Sequence, residues 1–183
     1  MKEGKRGFLP VSTPAETPVL LPLRGTKTSA GYDFFATCDL SIRPGETGRF
    51  VTDVKAYMEP DEMLLLVVRS SAGIKRHLMA ANTVGIIDSD YFNNPQNEGN
   101  LHIVLRNLLP AMELEGYETI ETKDGRTVAV PQIRDLTEAN TVHIAKGERV
   151  VQGIFLPVLP SDNCNSQEER QGGFGSTGVR PKG

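Results

Sequence analysis

Asn82-Thr83-Val84-Gly85-Ile86-Ile87-Asp88-Ser89-Asp90-Tyr91 runs from apolar and β-branched residues into two carboxylates and a phenol. Its opening suits a strand. Gly85 interrupts the run where a backbone can turn or approach a flat ligand closely. Asp88 follows Ile86 and Ile87, which favours a partly desolvated carboxylate; tuned by its surroundings, such a group takes a proton from water. The same Asp88-Ser89-Asp90 run also reads as ordinary β-turn chemistry. Short apolar runs punctuated by Gly, Pro and Asn recur along the whole chain, with no long helical periodicity and no internal repeat. That pattern points to an all-β barrel or sandwich.

Working outward, Phe92–Asn100 reads as a polar loop and Leu101–Asn107 as a returning strand. Upstream, Met63–Val68 is an unbroken apolar run that suits a strand buried on both faces, or a sandwich core. It leads directly into Arg69-Ser70-Ser71-Ala72-Gly73. A guanidinium fork, two hydroxyls and small residues make a good oxyanion receiver. The run reads equally as a helix N-cap at Ser71, and a helix N-terminus also attracts phosphate. Asp33 stands among Tyr32, Phe34 and Phe35, so it needs donors or a cation nearby, unless it caps a turn. Residues 1–28 read as a loose approach with a short strand at Val19-Leu20-Leu21.

Downstream, residues 108–141 are the least regular part and read as an insertion. Lys123-Asp124-Gly125-Arg126 looks like a hairpin turn between Tyr117–Thr122 and Thr127–Val130. A short helix is expected over Ile133–Asn140. Lys146-Gly147 turns into a strand reaching Val158, where Arg149 reads as a structural ion pair and Gln152 as a side chain able to reach a site. From Leu159 the composition turns polar, and the chain ends in Arg170-Gln171-Gly172-Gly173-Phe174-Gly175-Ser176-Thr177-Gly178. That composition cradles phosphate and stacks on a base, although glycine-rich tails also serve as linkers.

The length of 183 residues fits one domain with a real core, or one domain plus an appendage. A net charge of -3 with mixed signs argues against a nucleic-acid footprint. Cys38 and Cys164 make no disulfide framework and no zinc spacing. His77, His102 and His143 are scattered and read as surface or core groups. There is no signal-peptide h-region and no run long enough to span a bilayer, so no membrane partner and a cytoplasmic location are expected.

Taken in order, these segments resemble the five motifs of the trimeric dUTPase family. Ala30-Gly31-Tyr32-Asp33 is similar to the first and Arg69-Ser70-Ser71-Ala72-Gly73 to the second. Asn82 through Tyr91 is similar to the third, Gly147-Glu148-Arg149-Val150-Val151-Gln152 to the fourth, and Gly172–Gly178 to the fifth. Five motifs in series are far more specific than one. The resemblance implies a jelly-roll-like β-barrel over residues 1–160, with 108–141 inserted, and a tail at 161–183 that closes over the site. It also implies a homotrimer whose sites are shared, the third motif coming from one subunit, the first, second and fourth from a neighbour, and the fifth from the remaining chain. The implied reaction is hydrolysis of dUTP to dUMP and pyrophosphate, with magnesium on the phosphates. In cells it would limit uracil in DNA and supply dUMP for thymidylate synthesis.

Carried onto this sequence, the resemblance makes Asp88 the base for the attacking water. Asp33 would hold magnesium-bound waters. Arg69, Ser70 and Gln152 would grip the triphosphate, with Ser71 where the family often has Gly. Asn82 and the backbone near Gly85 would read uracil, and Tyr91 would pack on the deoxyribose and exclude a 2′-hydroxyl. Phe174, followed by Gly175, would stack on the base, while Arg170, Ser176 and Thr177 would reach the phosphates.

Seven residues, Phe92 to Glu98, stand between Tyr91 and Gly99, where the family usually has one. This offers Phe92 as a rival for stacking. Two other readings are a dCTP deaminase, against which Ile87-Asp88-Ser89-Asp90-Tyr91 argues, and a regulatory protein that binds a partner through 108–141.

Overall fold

The computed structural model describes residues 4–15 and 18–163. In chain order the strands are β1 (Gly7–Pro10), β2 (Leu23–Arg24), β3 (Tyr32–Phe35), β4 (Leu40–Ile42), β5 (Thr47–Val51), β6 (Val54–Tyr57) and β7 (Glu62–Val68). A short helix α1 (Ser70–Arg76) follows, then β8 (Leu78–Ala80), β9 (Gly85–Asp88), β10 (His102–Asn107), β11 (Met112–Glu121), β12 (Thr127–Asp135), β13 (Val142–Ile144) and β14 (Arg149–Pro157).

A five-stranded antiparallel sheet runs in the order β2-β3-β14-β7-β9, and a three-stranded one in the order β5-β10-β8. Two-stranded ribbons β1-β6 and β13-β4 complete the body. One hydrophobic cluster joins them, with Phe34, Leu64, Leu66 and Val151 from the large sheet and Phe50, Leu78, Ile103 and Leu105 from the small one. The chain is thus an all-β, jelly-roll-like barrel.

Several expectations are corrected. β7 does not bury both faces: Leu64 and Leu66 are buried, while Met63, Leu65 and Val67 are half-buried. Its alternation is that of a sheet with one face on the core. Val19-Leu20-Leu21 forms no strand; Leu23 and Arg24, just past Pro22, pair with β3 instead. The N-terminal approach also contains β1, which pairs with β6.

Residues 108–141 form a projecting arm. β11 and β12 pair with each other over their full length around the expected turn at 123–126. No helix forms over Ile133–Asn140. Ile133 pairs with Leu114, and Arg134 is ion-paired with Glu113, so cross-strand partners hold this segment extended. Past Asp135 the chain turns, with Asp135 Oδ1 accepting from the Thr137 amide at 2.7 Å. The arm's base is closed by the Leu136 amide donating to the Ala111 carbonyl at 2.8 Å.

Candidate active site

Two clusters of polar groups stand at different ends of β7. The first lies where β3, β14 and β7 run side by side. Asp33 pairs with Gln152, and Gln152 pairs with Val67, two residues before Arg69. Asp33 is 5% exposed, so its charge must be matched. Arg69 Nε lies 3.0 Å from Asp33 Oδ1, and Arg149 Nη1 lies 3.3 Å from Asp33 Oδ2. Arg69 Nη1 also donates to the Arg149 carbonyl at 3.0 Å. One carboxylate thus orients two guanidiniums, leaving a net positive cluster suited to a polyanion. The sequence expectations that Asp33 needs a cation and that Arg149 forms an ion pair are both met.

Gln152 is placed by what Gly31 lacks: a Cβ there would lie 2.3 Å from Gln152 Oε1. Ser70 and Ser71 are exposed at the start of α1. The helix is capped two residues earlier than expected, at Arg69 rather than Ser71, with no side-chain cap. The extended backbone of Arg69 continues β7, so the cap falls on the residue already committed to Asp33.

The second cluster lines a cavity of about 490 Å³ between the two larger sheets, with Leu66, Asn82, Gly85, Asp88, Tyr91 and His102 in its wall. Its rim is the connection from β8 to β9. There Thr83 has φ 71, and the Val84 amide donates to the Asn82 carbonyl at 2.8 Å. This is a γ-turn of the uncommon hand, held at a β-branched residue, and such strain gathers where function fixes the backbone. Asp88 ends β9, opposite Met63, and is half-buried. Tyr91 closes a single 3₁₀ turn, Ser89–Tyr91, and is 6% exposed.

His102 was not foreseen. It lines the cavity, and burial, helped by the positive charge of Arg49, pushes its imidazole below the usual pKa. A neutral ring therefore faces the cavity at neutral pH. Phe92 faces away from the cavity and packs edge-on against Tyr57, with centroids 6.0 Å apart, and beneath Lys55 Nζ. Arg170, Phe174, Gly175, Ser176, Thr177 and Cys164 lie outside the described residues.

Asn82, Gly85, Asp88 and Tyr91 are therefore brought together, as are Asp33, Arg69, Arg149 and Gln152. Asp88 and Arg69, one from each group, stand well apart within one chain. Asp88 is level with Met63, and the six residues from Met63 to Arg69 span about 20 Å at a strand's rise. That exceeds the reach of either side chain.

Among the described residues no three His, Cys, Asp or Glu groups gather as a metal cage. A magnesium ion carried by a triphosphate needs few protein ligands and keeps several waters. Asp33, beside the guanidiniums, retains acceptor capacity for such waters. The residues present fit the ion only in that indirect way.

The dUTPase family model matches residues 17–126. A deoxyuridine 5'-triphosphate nucleotidohydrolase from Lactococcus lactis is 40% identical over 176 residues, covering 95% of this chain and 98% of its own length. The crystal structure of a dUTPase from Streptococcus mutans superposes with a TM-score of 0.63 at 34% identity, covering 86% of this chain and 99% of that one. A dUTPase from phage phi11 of S. aureus superposes at 0.62 with 25% identity, covering 90% of this chain and 97% of the phage chain. With the fold, a family match over most of the chain and an end-to-end relative in agreement, the chain belongs to the dUTPase family.

Proposed function

We propose that the protein is a dUTP diphosphatase, hydrolysing dUTP to dUMP and pyrophosphate. The cavity beside Asp88 and Tyr91 takes the nucleoside, and the Arg69–Asp33–Arg149 cluster with Gln152 and Ser70 takes the triphosphate. Asn82 and the backbone at Gly85 read the uracil edge. Asp88 accepts a proton from water, and the hydroxide attacks the α-phosphorus. The bond from that phosphorus to the oxygen bridging to the β-phosphorus breaks, and pyrophosphate leaves with that oxygen. Positioning and charge stabilisation supply most of the rate. Magnesium, when bound, neutralises phosphate charge, and Asp33 would hold its waters.

The observation carrying this reading furthest is the separation of the two groups along β7. The distance between Asp88 and Arg69 along β7 favours a site in which one copy of the chain supplies Asp88 and another supplies Arg69. A homotrimer with shared sites satisfies this, and a tail from residue 161 closing on the site would complete it. Among the described residues no helix is long and apolar enough to cross a membrane, which suits a cytoplasmic enzyme on a soluble nucleotide.

Pyrophosphate release from dUTP, dTTP, dCTP and UTP, assayed side by side with magnesium, tests the reading. Release from dUTP alone, with dUMP as product, is expected. Ammonia release from dCTP would install the deaminase reading instead.

A second reading concerns the arm. Leu114, Tyr117 and Ile133 fall on one face of it and are 53%, 66% and 58% exposed. That face suits either a neighbouring copy in the trimer or a protein partner. Size-exclusion with light scattering on the arm-deleted chain separates the two, because loss of the trimer would assign the face to the neighbour.

A further inference from the structure

The seven-residue stretch between Tyr91 and Gly99 is a built loop, and Asn97 carries it to the Tyr91 ring in the cavity wall. Asn97 Nδ2 donates to the Tyr91 phenol oxygen at 2.9 Å. The orientation of the Asn97 amide is fixed by its other partners. The Gly99 amide can only donate, and it does so to Asn97 Oδ1 at 3.0 Å, so the opposite atom must be the nitrogen that meets the phenol. Asn94 Nδ2 donates to the same Asn97 Oδ1 at 2.7 Å and to the Tyr91 carbonyl at 3.2 Å. Asn94 is 4% exposed, and its own Oδ1 accepts from the Gln96 amide at 3.0 Å.

The loop is tied down at its outer side as well. Lys55 Nζ donates to Asn93 Oδ1 at 2.7 Å and to Glu98 Oε2 at 3.1 Å, and the Ser12 amide donates to Glu98 Oε2 at 3.0 Å. At Gly99, φ is +82 and a Cβ would lie 2.5 Å from the Tyr91 carbonyl, so the loop's return is open only to glycine. A network this fully satisfied is rigid. It ends on the one aromatic group expected to meet the sugar.

We propose that Asn97 is a positioning residue: it fixes the Tyr91 ring against C2′ of the sugar and thereby sets selectivity for 2′-deoxynucleotides. This rests on the dUTPase reading. A ring free to tilt leaves room for a 2′-hydroxyl; a ring held at its oxygen does not. One neutral hydrogen bond corresponds to about a 2- to 10-fold effect.

The test is the ratio of kcat/KM for dUTP to that for UTP in wild type, Asn97→Ala, Tyr91→Phe and the double variant. Asn97→Ala should lower the ratio about 2- to 10-fold, with Tyr91→Phe giving a similar loss and the double variant no further loss. Asn97→Asp keeps the acceptor for Gly99 and Asn94 and takes the phenol's own proton, so it should restore most of the ratio. A merely structural role would lower turnover of both nucleotides together and leave the ratio unmoved, which overturns the proposal. So does an Asn97→Ala loss that persists in the Tyr91→Phe background. If Asn97→Ala fails to fold, Tyr91→Phe decides, because an unchanged ratio there also overturns it. A wild-type protein inert on dUTP would remove the proposed function itself, whereas active wild type with a flat ratio removes only the role of Asn97.

Discussion

Asp88 is half-buried at the end of β9 with apolar Ile87 before it and the cavity in front, the setting of a general base. Asp88→Asn should keep dUTP binding by calorimetry and lose turnover by about two to four powers of ten. Near-normal pyrophosphate release in that variant would take the base role from Asp88. Asp33 is argued differently, since it touches two guanidiniums rather than the reacting centre. Asp33→Asn should raise KM for dUTP more than it lowers kcat, because Arg69 and Arg149 lose their anchor. A change confined to kcat would contradict this. Asp33's need for cations was readable from its apolar neighbours in the sequence. Asn97 was not, because its hydrogen-bonding role depends on a loop conformation that a polar run does not specify.

The loop between the 3₁₀ turn and β10 carries a pH prediction. A hydrogen bond from the Ser12 hydroxyl, then the Ser12 amide and Lys55, hold the Glu98 carboxyl down to about 2. A group whose pKa is lower in the folded state stabilises above its ordinary range and loses that contribution as pH falls through the folded value. The difference in Tm between wild type and Glu98→Gln should therefore be constant above pH about 4.5 and shrink toward pH about 2. A difference that grows on acidification would show the clip is not built on the carboxylate. The arm is a second separable element. Excising 112–135 and joining Ala111 to Leu136 by a short turn should preserve the β-rich circular dichroism spectrum, since the backbone already meets there. The arm's turn was legible because Asp124-Gly125 carries its own conformational preference. The fate of Ile133 was not, because its partner Leu114 lies far back in sequence and a local reading cannot see it. Likewise β1 is held by β6, whose pairing overrides the loose composition of the N-terminus.

At the scale of the whole molecule, the site's two halves imply that variants should rescue one another. Asp88→Asn spoils one half and Arg69→Ala the other. Each alone should be nearly inactive, but unfolding and refolding a 1:1 mixture should recover about one quarter of wild-type activity, because a random pair of neighbours supplies both intact halves one time in four. Recovery at the level of the separate variants would place both residues in the same chain's site. The five motifs were legible because each is a short local run. How one chain keeps two of its groups apart was not, because that follows from strand register.

The spacing along β7 also governs dosage. On the shared-site reading, a freshly made subunit would hold two incomplete stations and turn nothing over until it found its copies. Activity should therefore fall faster than protein amount on dilution below the association threshold, and a single inactive copy entering an assembly should silence more than its own share.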